Sequence, residues 1–109
     1  MNTHRRLVNE ITQKVNQGYV LDASRMKGTR IQQLDGEWDS IEGDWLPCLI
    51  KDENEEVGVD FFEKEDPIPL KEQLGLQGSY PILLEDITEE CLQDILQAMV
   101  IPWPSAFQS

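Results

Sequence analysis

The chain has 109 residues, of which 21 are acidic and 9 are basic, so its formal net charge is −12 at pH 7. With 39% hydrophobic residues and no apolar run near the roughly 18 residues of a membrane span, we expect a single folded domain over 1–109 and no membrane insertion. The negative charge disfavours nucleic acid and anionic lipid as partners, and it favours cations or a basic protein.

The N-terminal segment has the pattern of an amphipathic helix. Apolar residues recur at helical spacing at Leu7, Val8, Ile11 and Val15. Asn2 or Thr3 is a suitable N-cap, and Gly18 is a typical C-terminal stop. The pattern predicts a helix that ends near Gly18.

The next segments are short. Residues 19–23 and 28–31 are β-prone and predict two brief strands, the second following a turn. Asp35-Gly36 and residues 42–44 have turn composition, and they surround Trp38 and Ile41. We therefore interpret this region as turns rather than as regular structure.

The strongest β pattern predicts a hairpin of strands 45–51 and 56–62. Apolar residues alternate in the first strand at Leu46, Cys48 and Ile50, and in the second at Val57, Val59 and Phe61. The polar residues Asp52 to Glu55 form the predicted tip. Because Pro47 cannot donate a ladder hydrogen bond, we expect an edge strand or a bulge there.

The C-terminal part predicts a helical turn, a strand and a second helix. Residues 70–74 follow two prolines and lead to Gly75, and residues 80–84 form a possible last strand. Asp86 and Glu89 have capping-box spacing and predict the start of the second helix. The apolar stripe expected on this helix comprises Ile87, Cys91, Leu92, Ile95, Leu96 and Met99.

These elements predict an α+β fold. We expect a small, mostly antiparallel sheet with the 45–51/56–62 hairpin at its centre, packed against an N-terminal and a C-terminal helix. The tail 101–109, rich in proline and aromatic residues, is expected to pack back over an apolar edge or to be flexible.

The chain lacks the residue sets of common catalytic and cofactor sites. Its one histidine, His4, lies near the N-terminus, where we expect fraying. Cys48 and Cys91 are predicted to be buried thiols, because the first 20 residues lack an export signal. Zinc ligands and a phosphate-binding glycine loop are absent from the sequence. We therefore expect a cytoplasmic, non-enzymatic protein without a cofactor or a dedicated metal site.

The acidic residues concentrate in 35–66, which holds 13 acids and 2 bases. In contrast, residues 1–30 carry a net charge of +4, and we expect this basic part to pack over the acidic remainder. The window 52–63 has oxygen side chains at most calcium-loop positions, but Val57 stands where an EF-hand turn requires glycine. We therefore interpret the EF-hand match as coincidental, while looser divalent-cation (calcium) binding by the 35–66 carboxylates remains an alternative function.

Aromatic residues beside the carboxylates favour a protein partner, since interface hot spots combine buried rings with charges that steer association. The predicted partner-binding residues are Glu37, Trp38, Asp39, Glu42 and Asp44. The leading hypothesis is an acidic interaction protein that binds a basic protein partner, in the manner of nuclease inhibitors, toxin-immunity proteins and nucleic-acid mimics. That comparison is one of charge and not of motif. A small metal-dependent hydrolase or nuclease is a third possibility.

Overall fold

A computed structural model of the chain describes residues 2–26, 30–36, 38–40, 45–63, 70–75 and 81–102. The helices are α1 (Thr3–Asn16) and α2 (Glu89–Gln97), with 3-10 turns at Ala23–Arg25, Leu70–Gly75 and Leu84–Asp86. The strands are β1 (Val20–Leu21), β2 (Arg30–Gln32), β3 (Trp38–Ser40), β4 (Trp45–Lys51), β5 (Val57–Glu63), β6 (Ile82–Leu83) and β7 (Met99–Val100). The predicted α+β class, with helices near both ends and antiparallel strands between them, is confirmed.

Helix α1 has the predicted ends. The side chain of Asn2 accepts a hydrogen bond from the backbone N–H of Arg5 at 3.3 Å, which satisfies one of the unpaired donors of the first turn. After the helix, Gly18 has φ of +97°, a left-handed conformation that glycine adopts without a Cβ clash. Leu7 and Ile11 are buried, so the predicted apolar stripe faces the core.

The described strands form three small antiparallel sheets rather than one. Their strand orders are β1-β7, β2-β3 and β4-β5-β6. The predicted hairpin forms the largest of the three, and Pro47 lies in its outer strand β4, where the missing N–H is tolerated.

The hairpin register decides which side chains share a face. Val59 lies opposite Leu49, whereas Cys48 lies opposite Asp60. Cross-strand partners point to the same side of a sheet, so the Val59 face includes Leu49 and not Cys48. Both faces of β4 are nevertheless buried, since Cys48 and Leu49 are each less than 5% exposed.

One hydrophobic cluster joins the two helices to the hairpin. Its buried members include Leu7, Ile11, Leu21, Ile31, Leu49, Val57, Val59, Leu84, Ile87, Leu92 and Ile95. Helices α1 and α2 pack on each other, and the turn Leu84–Asp86 contacts both α1 and β5. The core therefore holds the hairpin, α1 and the turn Leu84–Asp86 in fixed positions relative to one another.

The predicted start of the second helix was wrong by two residues. Thr88 is the N-cap, and its hydroxyl accepts from the N–H of Cys91 at 3.3 Å. Asp86 ends a 3-10 turn, and Ile87 forms an antiparallel bridge with Gln33. Because the bridge holds Ile87 in extended conformation, the helix cannot begin before Thr88. Ile87 is still fully buried, but outside the helix.

Two strands were missed by the sequence analysis. The strand predicted within 80–84 is present as β6, but it is not the last strand, because Met99 belongs to β7, which pairs with β1. Trp38 belongs to β3, which pairs with β2, rather than to a turn. The predicted turn at Asp35-Gly36 is confirmed, with Gly36 at φ +88°. The tail after residue 102 and the predicted turn at 42–44 lie outside the described residues.

The two helices have 14 and 9 residues. A bilayer-spanning helix needs about 20 predominantly apolar residues. Over the described parts of the chain, no helix is long and apolar enough to cross a membrane.

Candidate functional site

The structure places only part of the predicted partner-binding set. Trp38 and Asp39 lie in β3, opposite Gln32 and Ile31 of β2. The other three predicted residues, Glu37, Glu42 and Asp44, lie outside the described residues. The set as a whole therefore remains a prediction.

A groove with an apolar floor lies between α1, the β4–β5 turn and the segment 83–85. Its volume is about 230 Å³. Val57 and Leu84 are buried beneath it, while Val8 and Leu83 are partly exposed to it. Thr12 also lines the groove, and its hydroxyl donates to the carbonyl oxygen of Val8 at 2.8 Å, so its polar group has a partner within the helix.

Three carboxylates form the rim of this groove. Glu55 and Glu56 come from the β4–β5 turn, and Glu85 comes from the 3-10 turn Leu84–Asp86. All three residues are exposed. Among the described residues that line the groove, none is a lysine or an arginine. The groove therefore combines an apolar floor with negatively charged side chains at its rim, and we take it as the candidate functional site.

Hydrogen bonds within the β4–β5 turn fix the position of two rim residues. The Asp52 carboxylate accepts from the N–H groups of Asn54 at 2.8 Å and Glu56 at 2.9 Å. The N–H of Asp52 donates to the carbonyl oxygen of Glu56 at 2.9 Å, and that of Glu55 donates to the carbonyl oxygen of Asp52 at 3.0 Å. Asp52 is thus a structural residue of the turn, which presents Glu55 and Glu56 to solvent.

Glu55 has an unusual backbone conformation, with φ of +62°. This left-handed region favours glycine, which has no Cβ to crowd the neighbouring carbonyl oxygen, and asparagine, whose short polar side chain can hydrogen-bond locally. Glu55 is the one non-glycine residue with positive φ among those described. The turn therefore holds a charged side chain at the rim at a cost in backbone energy.

Gly58 sets the distance between β5 and β6. A Cβ at this position would lie 2.7 Å from the carbonyl oxygen of Ile82 and 2.7 Å from the Cβ of Pro81. Gly58 lies opposite Leu83 in the strand register, next to Val57 of the groove floor. The close approach of the two strands therefore holds Leu83 beside Val57.

A second concavity lies at the turn between β2 and β3. Leu34 is 58% exposed there, and Gln33, Leu34, Asp35 and Asp86 line a shallow concavity. The N–H of Leu34 donates to the carbonyl oxygen of Asp86 at 2.8 Å. This contact ties the turn to the segment that also supplies Glu85.

The thiols and the histidine do not form a nucleophilic site. Burial, and secondly the negative charge of Asp60, raise the pKa of the Cys48 thiol to about 12. Burial also raises the pKa of Cys91. Both remain neutral thiols at physiological pH, and the thiol is a poor nucleophile compared with the thiolate. His4 is not frayed as expected, because its Nε2 lies 2.7 Å from the carbonyl oxygen of Ile87.

Residues 52–63, which match part of the EF-hand sequence pattern, do not form an EF-hand loop. Residues 53–56 form the tight turn, and Val57 begins strand β5, so the window is a β-hairpin rather than a helix-flanked loop. Among the residues that the structure describes, no three His, Cys, Asp or Glu side chains are grouped so that they could hold a metal ion.

The expected packing of basic over acidic segments is not made by ion pairs within the described residues. The ion pair found there joins Arg25 to Asp22, three residues apart, at 3.4 Å. Arg5 and Arg6 are exposed on the outer face of α1, where they line a separate concavity with neighbouring polar side chains.

Sequence reasoning missed the groove. It assigned Val8 to the helix core and Glu55 to a solvated tip, and it gave Glu85 no role. The available signal was the acidic tip between two apolar strands. That signal did not indicate which other elements lie beside the tip.

Comparisons with protein-family models, with curated proteins and with solved structures found no match to this chain.

Proposed function

We propose that this protein is a non-enzymatic interaction protein whose acidic surface binds a basic protein partner and thereby blocks or regulates it. The observation that carries the proposal is the groove itself, which has an apolar floor and the three exposed carboxylates Glu55, Glu56 and Glu85 at its rim. Apolar contact supplies affinity in such an interface, while complementary charge speeds association and selects the partner.

The distribution of charge supports a partner of opposite sign. The chain has a net charge of −12, and the exposed acidic residues of the described parts lie on several elements, including Glu53, Glu63, Glu72, Glu90 and Asp94. The electrostatic field of such a charge repels nucleic acid and attracts basic proteins, and the rate at which a basic protein associates then depends on ionic strength. The predicted partner-binding residues Glu37, Trp38, Asp39, Glu42 and Asp44 remain part of this proposal.

The proposal is tested by the salt dependence of association. A basic partner is first captured at low salt with the tagged protein and then purified, and its association rate is measured over a range of salt concentrations. We expect the rate to fall steeply as the Debye length shortens from about 10 Å at 0.1 M salt. A partner whose association rate ignores salt would reject the proposal.

Two variants separate the effects of charge and of the ring. Glu37→Gln, Asp39→Asn and Glu42→Gln together should lower the association rate and flatten its salt dependence. Trp38→Ala should mainly raise the dissociation rate, because buried aromatic contacts act on residence time. Both variants must retain the circular dichroism spectrum and the melting temperature of the wild type.

A further inference from the structure

We propose that the groove between α1, the β4–β5 turn and the segment 83–85 is the docking site, and that a cationic amphipathic segment of the partner occupies it. An aliphatic side chain of that segment contacts the apolar floor, while lysine or arginine side chains face Glu55, Glu56 and Glu85. This inference rests on the proposed function and adds to it the place and the chemistry of the contact.

The size of the groove indicates what kind of occupant fits. Its volume is about 230 Å³. Sites for drug-sized ligands and cofactors typically enclose about 300–1,000 Å³. The groove is therefore suited to one or two anchoring side chains of a longer segment that continues along the surface.

Charge complementarity selects a cationic segment. The described lining residues include three glutamates, all of them exposed, and no basic residue. An anionic segment would be repelled by these carboxylates. A purely apolar segment would partly desolvate them without giving them a partner. A segment with alternating apolar and basic faces satisfies both the floor and the rim.

The groove is also organised before binding. Val57 and Leu84 belong to the buried core, and the hydrogen bonds that the Asp52 carboxylate accepts from the N–H groups of Asn54 and Glu56 fix the turn that carries the rim. Glu55 keeps a charged side chain at a left-handed position that glycine would fit with less strain. Strained residues concentrate at functional sites, and a fixed rim reduces the conformational entropy lost on binding.

Synthetic peptides serve as the probe. The first peptide contains lysine and leucine in an order that gives an amphipathic helix, and the second has the same composition in an order that removes the apolar face. Binding to the full-length protein is measured by fluorescence anisotropy, and the contacted residues are mapped by amide chemical shifts. We expect the first peptide to bind more tightly and to shift the amides of Val8, Glu55, Val57 and Glu85.

Two charge-matched variants test the location. The groove variant combines Glu55→Gln, Glu56→Gln and Glu85→Gln. The control variant combines Glu10→Gln, Glu63→Gln and Glu72→Gln, three exposed residues that do not line the groove. We expect the groove variant to weaken peptide binding about tenfold, equivalent to about 1.4 kcal/mol, and the control variant to weaken it much less.

Each contrary result is distinguishable from failure of the proposed function. The proposed docking site would be wrong if both variants weakened peptide binding equally, or if the peptide shifted amides outside the groove. Either result would show that charge attracts the peptide to another part of the surface. Equal binding of the two peptides, or no binding, would refute the amphipathic occupant. The protein can also be concentrated without peptide. If the amide chemical shifts of the groove residues then change, and sedimentation shows a dimer, the occupant of the groove is a second copy of the chain. The proposed function fails separately, through a purified partner whose association rate is independent of salt.

Discussion

The Nε2 atom of His4 lies 2.7 Å from the carbonyl oxygen of Ile87 and joins the first turn of α1 to the residue before the cap of α2. Ile87 and Gln33 form an antiparallel bridge whose hydrogen bonds are made by the flanking residues. The N–H of Leu34 donates to the carbonyl oxygen of Asp86, and the N–H of Thr88 donates to that of Gln32. The Ile87 carbonyl faces away from that bridge, and His4 gives it a donor. This hydrogen bond therefore adds a polar link between the two helices to their packing in the core.

Replacing this histidine should destabilise the protein. We expect His4→Ala to lower the free energy of unfolding by about 1–2 kcal/mol, because the partly buried carbonyl of Ile87 loses its donor. Chemical denaturation measures the change, and Arg5→Ala, at the next and exposed position, is the control with an expected effect near zero. Equal effects of the two substitutions would show that the contact adds no stability.

Val59→Ala should destabilise the protein by about 2 kcal/mol, because the side chain is 1% exposed and its loss leaves a cavity in the core. Phe61→Ala should lower the free energy of unfolding by less than the loss of a fully buried ring would, since Phe61 is only partly buried. Thermal or urea unfolding measures both, with Glu53→Ala at the exposed turn as a neutral control. A larger effect from Glu53 than from Val59 would contradict the observed register.

Glu55→Gly should stabilise the protein while weakening binding. The left-handed conformation costs a non-glycine residue about 1–2 kcal/mol, and glycine removes this strain. The greater conformational freedom of glycine in the unfolded chain offsets about 0.5–1 kcal/mol of that stabilisation. The net increase in unfolding free energy should therefore be about 0.5–1 kcal/mol, measured by denaturation. Glu53→Gly, at a turn position without positive φ, is the matched control and should not stabilise the protein. If Glu55→Gly destabilises the protein, the turn does not hold residue 55 in this conformation.

Gly58→Ala should destabilise the protein by about 1–3 kcal/mol or more, because the added Cβ meets backbone and proline atoms at 2.7 Å. Since the strands must separate to admit the methyl group, the amides of Leu83 and Val57 should also shift in NMR spectra. Gly18→Ala provides a contrast, as its Cβ would meet no atom within 4 Å and its cost would come from positive φ alone. Unchanged shifts at Leu83 would contradict the close pairing of β5 and β6.

The raised pKa of Cys48 predicts a loss of stability at alkaline pH. The folded state keeps this thiol protonated to about pH 12, whereas the exposed thiol of the unfolded chain ionises around its ordinary value of 9.0. Between these values the folded state binds more protons, so the free energy of unfolding falls as pH rises. The stability difference between wild type and Cys48→Ala should therefore shrink from pH 8 to pH 10.

This difference isolates the contribution of Cys48, because all other titratable groups are common to the two proteins. Denaturation at each pH provides the measurement. A stability difference that is constant across this range would mean that Cys48 is accessible to water in the folded state.

Local patterns were sufficient where neighbouring residues alone decide the structure. The i, i+4 spacing of Leu7 and Ile11, with Asn2 before it and Gly18 after it, specified α1 because capping and helical periodicity are local properties. Alternation specified the β4–β5 hairpin for the same reason. The start of α2 was misplaced because a bridge from Ile87 to Gln33, 54 positions earlier, overrides the capping preference of Asp86.

The sequence by itself determined the α+β class, the hairpin, the burial of both thiols and the acidic character of the surface. Only the tertiary structure decided that Val8, Glu55 and Glu85, from three distant segments, line one groove. Composition fixes the amount of charge and periodicity fixes which side of an element is apolar. Which carboxylates meet over which apolar surface depends on long-range packing and strand register, and neither has a local signature in the chain.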